Sequence, residues 1–327
     1  MAGFVRTPEP LSRRHIVFVR TDRLGETLLT LPVVHTLRQA FPQARLTLMI
    51  HRSLQELFVG HPDVDEVVPE PVSSGSWWRR AWRLSRVWRS WHPDLIIFSN
   101  PKKEYHVGGW LAGIPNRVGY DRKWGRLLTR RIPDRKALGE RHEVEYNLEL
   151  LRAVGIPVPA TIPFQLSVSQ EEQSHLSQLL QDLSARTDDC VVAVHPWTSN
   201  PKKQWPVERF KTLLERLSGL SGVTPVMVGG AEETQKAGVM AGRGKRLVNL
   251  VGRLSLRELA ACLLRVRVLV TNDSGPMHLA SAVGTPVVAL FGTEDPGSHP
   301  RRWGPWGSGH TVIHKPLDQI TVEEVLA

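Results

Sequence analysis

The chain has 327 residues, 41% hydrophobic and 23% charged, a composition that excludes a disordered chain and gives room for two ordinary domains. Its formal net charge is +10 and its pI is near 10.0. That balance favours an anionic partner, whether nucleic acid, an anionic membrane surface or a phosphorylated substrate.

The first residues, MAGFVRTPEPLSRRH, carry no apolar run of the kind found in a secretory leader. HIVFVR (15–20) is short, apolar and β-branched, and predicts a buried strand. A turn-like TDRLGE follows, then TLLTLPVVHTLRQAF, whose apolar spacing predicts one helix running through Pro32. ARLTLMI (44–50) is a second strand, LQELFVG a short helix and DEVVPEP (65–71) a third strand. WWRRAWRLSRVWRSW (77–91) is a helix and DLIIFSN (94–100) the next strand.

A joint with three prolines, AVGIPVPATIPFQLSVS (153–169), leads into the second half. There CVVAVHP (190–196), TPVMVGG (224–230), VLVTND (268–273) and PVVALFG (286–292) read as strands. PVERFKTLLERLSG is a helix opened by Pro206, and SLRELAACLLRV is one capped by Ser255 with Glu258 at capping-box spacing. Strands alternating with helices imply an α/β chain of two doubly wound parallel sheets. Cys190 and Cys262 lie in apolar surroundings without ligand spacing and read as buried thiols of a reducing compartment. No run of about 18 apolar residues occurs. The expectation is a soluble cytoplasmic protein.

Five clusters could carry chemistry. In RTDRLGETLLTLP (20–32), Gly25 permits a tight turn and Glu26 falls in the first helical turn, where the helix dipole favours the carboxylate. It is either a plain helix-start charge or a general base. In HPWTSNPKKQWPVERF (195–210), Thr198, Ser199 and two lysines precede a helix, which suits either a phosphate or a solvated loop. In MVGGAEE (227–233), Glu232 follows a glycine pair and could take ribose hydroxyls or simply start a helix. In TNDSGPMH, Asp273, Ser274 and Gly275 can cap a helix or present amides to phosphate, with His278 one turn in.

The fifth cluster is the Trp/Arg helix. At about 100° per residue, Trp77, Ala81, Leu84, Trp88 and Trp91 share one side, and Trp78 and Trp82 widen it. Arg79, Arg83, Arg86 and Arg89 fall mostly opposite. The face either packs on the sheet or lies on an anionic membrane surface. Neither GxGxxG nor GxxxxGK[ST] occurs, so dinucleotide and P-loop readings lack support.

Four ordered stretches resemble glycosyltransferase family 9, the ADP-heptose:lipopolysaccharide heptosyltransferases. They are RTDRLGETLLTLPVVHTLRQAFP, HEVEYNLELLRAVGIP (142–157), HPWTSNPKKQWPVERF, and TNDSGPMHLASAVGTPVVALFGTEDP with the later RRWGPWG. The resemblance runs from about His15 to the C-terminus. It implies a GT-B fold, with two doubly wound Rossmann-like domains facing a central cleft. Residues 1–162 would bind the acceptor glycolipid and residues 163–327 the nucleotide sugar.

The same resemblance implies an inverting transfer of heptose from ADP-heptose to the lipopolysaccharide inner core, without metal or cofactor. The family's base, usually Asp, falls on Glu26, one methylene longer. Its catalytic lysine falls on Lys203, its phosphate-binding hydroxyls on Thr198 and Ser199, and its ribose acid on Glu232. The nucleotide-diphosphate loop falls on Asp273, Ser274, Gly275 and His278. The implied partners are the nucleotide sugar and an anionic lipid A-core acceptor. Residues 77–91 are a candidate for peripheral contact with the cytoplasmic face of the inner membrane. No nucleic acid is expected, because no motif for it is present. The alternatives are another nucleotide sugar or glycan acceptor, or a GT-B-like nucleotide-sugar epimerase.

Overall fold

The computed structural model describes residues 14–71, 75–182, 189–240 and 246–327. The stretch before Arg14, read above for a leader, lies outside the described residues. The chain divides into two compact units. The first holds Met1–Asp22, Thr30–Arg135 and Val144–Pro163; the second holds Arg23–Leu29, Lys136–Glu143 and Phe164–Ala327. Two short pieces of the N-terminal half, one of them carrying Glu26, therefore pack with the second unit.

The first unit is built on β1 (His15–Arg20), β2 (Arg45–Ile50), β3 (Glu66–Pro69), β4 (Leu95–Phe98), β5 (Asn116–Tyr120) and β6 (Arg130–Ile132). They form one sheet in the order β3-β2-β1-β4-β5-β6, with every pairing parallel. The second unit uses β7 (Cys190–His195), β8 (Val223–Met227), β9 (Val248–Asn249), β10 (Val268–Asn272), β11 (Val287–Phe291) and β12 (Thr311–His314). Their order is β12-β11-β10-β7-β8-β9, again all parallel. Helices on both faces explain why β1 is buried at all six positions and reads as an unbroken apolar run. Each sheet reverses its strand order once, at β1/β4 and at β10/β7.

Pro32 does not lie inside one long helix. It sits in the first turn of the helix Leu31–Ala40, after a separate short helix, Leu24–Leu28, has ended. A first-turn proline lacks only an N–H that would have no intrahelical partner, so it starts a helix rather than breaking one. Cys262 is buried, and burial pushes its thiol up to about 12. Cys190 is exposed instead of buried, because it is the first residue of β7 at the sheet margin.

The helix Trp77–Trp91 buries Ala81, Leu84, Ser85 and Trp88. It presses on the helix Lys103–Leu111 at Gly108, where an added Cβ would lie 3.0 Å from both Trp88 Cζ3 and Ala81 O. Trp78 and Trp82 do not join this face; they are 55% and 53% exposed. They stand roughly 70–110° around the helix from the centre of the buried stripe, on its shoulder. The Arg79 and Arg86 guanidinium groups lie over their rings, at 5.1 and 5.0 Å from the centroids.

Candidate active site

A cavity of about 550 Å³ opens at the carboxyl ends of the second sheet, the end where doubly wound sheets bind ligands. All nine residues singled out from the sequence line it: Glu26, Thr198, Ser199, Lys203, Glu232, Asp273, Ser274, Gly275 and His278. Every lining residue belongs to the second unit.

Two glycines bring Glu26 there. A Cβ on Gly275 would come within 3.1 Å of Leu24 Cδ2, and one on Gly25 within 2.5 Å of His278 Cδ2. With hydrogens in both places, the helix Leu24–Leu28 packs directly on the helix Gly275–Ala282. Glu26 is then a half-buried carboxylate in the first turn of its helix.

Asn272 brings Lys203 to Asp273. It is fully buried at the end of β10, accepts a hydrogen bond from Trp205 N at 2.8 Å, and donates one to Pro196 O at 2.7 Å. The loop after β7 is thereby tied to the loop after β10, and the Lys203 ammonium forms an ion pair with the Asp273 carboxylate. Burial raises the Asp273 carboxyl above its usual range, against the downward pull of Lys203. The pair sets the Lys203 ammonium beside the cavity, its charge partly offset by Asp273.

Ser274 is the N-cap of the helix Gly275–Ala282, yet neither it nor Asp273 caps with its side chain. The Ser274 hydroxyl turns back to Thr271 Oγ1 at 2.9 Å and to His195 Nδ1 at 3.3 Å. Asp273 is engaged by Lys203. Neither side chain of the turn therefore takes the first amides of this helix, and a helix start in that state attracts an anion.

Thr198 Oγ1 donates to Asp273 O at 3.3 Å, and Arg23 Nη1 donates to Ser199 Oγ at 2.9 Å. Of the two acids after the glycine pair, Glu233 accepts from Gly230 N at 2.6 Å and so caps its own turn. Glu232 is exposed at the cavity.

His278 is buried, and its Nδ1 has no hydrogen-bond partner. Burial, with the charges of His142 and Lys203, lowers it to about 3, so the ring is neutral at physiological pH. His195, the last residue of β7, also lines the cavity and is lowered by burial to about 4. Sequence reasoning missed it, although a polar residue ending a predicted strand just before a proline was a usable signal. Arg23, Ser298 and Trp303 were missed as well. Trp303 stands in RRWGPWG, a stretch to which no role was attached.

The family model described as glycosyltransferase family 9 (heptosyltransferase) matches residues 109–324. Lipopolysaccharide heptosyltransferase 2 of Salmonella typhimurium is 26% identical over 348 residues, which span 95% of this chain and 96% of that protein. The crystal structure of a glycosyl transferase family 9 protein from Veillonella parvula matches with a TM-score of 0.85 at 24% identity, covering 96% of this chain and 95% of that one. The structure of the Escherichia coli ADP-heptose lipopolysaccharide heptosyltransferase II matches with a TM-score of 0.77 at 24% identity, covering 96% of each chain. These structural likenesses show the fold, GT-B with two Rossmann-like units.

Proposed function

The chain belongs to glycosyltransferase family 9, the heptosyltransferase family, and from that premise we propose an inverting, metal-independent transfer of heptose from ADP-heptose to the lipopolysaccharide inner core. One observation carries the reading. A single cavity unites a carboxylate, Glu26, an ammonium group, Lys203, and a strand-to-helix turn with uncapped amides at Ser274 and Gly275.

The acceptor hydroxyl attacks the anomeric carbon and gives its proton to Glu26. The bond from that carbon to the diphosphate breaks, and negative charge grows on the departing ADP. Lys203 and the amides at Ser274 and Gly275 stabilise that charge, which is the task a divalent cation performs in other enzymes. Thr198 and Ser199 hold phosphate oxygens, Glu232 takes ribose hydroxyls, and His278 meets the diphosphate as a neutral ring. One carboxylate suffices because the leaving group is already activated; a glycosidase needs two flanking the bond.

In this reading residues 1–162 serve the acceptor and residues 163–327 the nucleotide sugar, with Glu26 packed beside the donor site. The net charge of +10 suits two anionic substrates. The helix Trp77–Trp91 makes peripheral contact with the cytoplasmic face of the inner membrane, where the acceptor lies.

The deciding experiment offers a panel of nucleotide sugars to the protein with defined truncated lipopolysaccharides. Heptose should appear on a heptose-deficient core from ADP-heptose alone, with inverted anomeric configuration and in the presence of a chelator. Release of an epimer or free sugar without acceptor would identify an epimerase and overturn the proposal.

A further inference from the structure

The strand order of the second sheet lays out the cavity from end to end. β10 and β7 meet where the order reverses, and the loops beyond them carry Asp273 and Lys203. β8 and β9 lie to one side, and beyond them come Glu232 and Leu254. β11 lies to the other side, and the segment beyond it brings Ser298 and Trp303 to the same cavity. With the diphosphate at the reversal and the nucleoside beside Glu232, the sugar falls on the β11 side, because it hangs from the far end of the diphosphate. Resting on that reading of the donor site, we propose that Trp303 is the platform on which the transferred sugar packs and a determinant of which sugar is accepted.

The surroundings of Trp303 hold it as a fixed wall. Its Nε1 donates to Gly297 O at 2.8 Å, and the Arg302 guanidinium lies 4.6 Å from its ring centroid. Arg302 is itself locked: Nη1 donates to Gly297 O and to Lys136 O, each at 3.0 Å. Its Nε and Nη2 donate to Glu143 Oε2 at 3.1 and 3.0 Å. Glu143 is fully buried, and its other oxygen accepts from Lys136 Nζ at 2.6 Å. A buried carboxylate thus sets the guanidinium, and the guanidinium sets the indole. A purely structural tryptophan such as Trp205 is wholly buried, whereas Trp303 is half-buried and lines the cavity. The electron-rich face of an indole suits the C–H faces of a sugar ring.

The test is calorimetric binding of ADP and of ADP-heptose to the full-length protein and to Trp303→Leu and Trp303→Phe. ADP affinity should stay within about twofold in both variants. The extra affinity that the sugar adds over ADP should fall about tenfold in Trp303→Leu, the scale of one lost apolar contact in a pocket, and be largely kept in Trp303→Phe. An undiminished sugar increment in Trp303→Leu overturns the assignment. So does a parallel loss of ADP and ADP-heptose affinity, which would mark a residue that only shapes the cavity. If the wild-type protein itself gains nothing from the sugar, the donor reading falls first and this assignment with it.

Discussion

A Cβ placed on Gly25 would sit 2.5 Å from Cδ2 of His278, and 3.2 Å from its Nε2. The glycine keeps the helix that carries Glu26 in contact with the helix that begins at the TNDSG turn. His278 is buried and cannot swing into solvent. Gly25→Ala should therefore push the two helices apart, at about 1–3 kcal/mol of stability. A displacement of Glu26 by about 1 Å would lower turnover roughly a hundredfold. Thermal unfolding and steady-state rates measure the two effects; an alanine variant with wild-type rates would mean that the helix contact does not position Glu26.

Glu26→Gln keeps the shape of the side chain and removes its ability to take a proton. Turnover should fall a hundredfold or more, the range of general-base catalysis, while ADP-heptose affinity changes little. Glu26→Asp should retain measurable turnover, since it keeps a carboxylate that can take the proton. A Gln variant close to wild type would remove Glu26 from the mechanism.

Lys203→Met should cost roughly 10²–10³ in kcat, as for loss of one charge-stabilising donor. It also strips a buried carboxylate of its partner. Burial already holds the Asp273 carboxyl above its usual range, and without the ammonium it rises further. A carboxyl raised in the folded state favours folding when protonated, so the stability deficit of Lys203→Met should grow as pH rises from acid, where the carboxyl is protonated in both proteins, toward neutrality. Denaturant unfolding of both proteins across that range gives the comparison; a pH-independent deficit would mean that Asp273 does not control it.

The parallel sheets were legible because a strand covered on both faces writes an unbroken apolar run, as in HIVFVR and CVVAVHP. β9, with two residues, and β6, RRI, are too short or too polar to write any pattern. That the nine named residues share one cavity was legible because they sit in ordered motifs beside strand ends. The uncapped state of Ser274 was not, since it depends on Thr271 and His195 drawing the hydroxyl away from the helix. Nor could spacing place Trp303, whose orientation comes from a carboxylate some 160 residues away in the chain. Helical periodicity found the right stripe on residues 77–91 but drew it too wide, because hydrophobicity alone cannot tell a tryptophan that reaches the sheet from one on its shoulder.

His195 and His278 are buried neutral, with values of about 4 and 3 against 6.5 in the unfolded chain. The unfolded state therefore binds more protons below pH 6.5, and stability falls as the medium is acidified. Each ring contributes a slope of roughly 1.4 kcal/mol per pH unit, down to about pH 4 for His195 and pH 3 for His278. Carboxyls held low in the fold, such as Asp65 and Glu172, act mainly below their unfolded values near 4. Urea titrations of wild type and His278→Gln at pH 6 and 4.5 isolate this ring, because the raised carboxyls of Asp273 and Glu233 and the other lowered histidines are common to both proteins, and the variant should lose one ring's share of the slope. An unchanged slope would show that this ring is protonated in the folded protein.

Trp78 and Trp82 are half-exposed on a helix that carries five arginines and no acid between Trp77 and Trp91. Trp124, 43% exposed, extends the aromatic surface: its ring is 5.9 Å from Trp77, and the Arg126 guanidinium lies 5.3 Å above it. Indoles flanked by guanidinium groups suit the interface of an anionic bilayer, where rings enter the headgroup layer and cations meet phosphates. A Trp82→Ser, Arg83→Ser double variant removes one ring and one charge without touching the buried stripe of Ala81, Leu84 and Trp88. Each basic residue near such a surface is worth about 1 kcal/mol, and the ring adds to that. Binding to vesicles containing anionic phospholipid should therefore fall tenfold or more and decline with salt in both proteins, while the unfolding temperature holds. Equal vesicle binding by the folded variant would leave the tryptophans and arginines as a solvated face and move any membrane contact elsewhere.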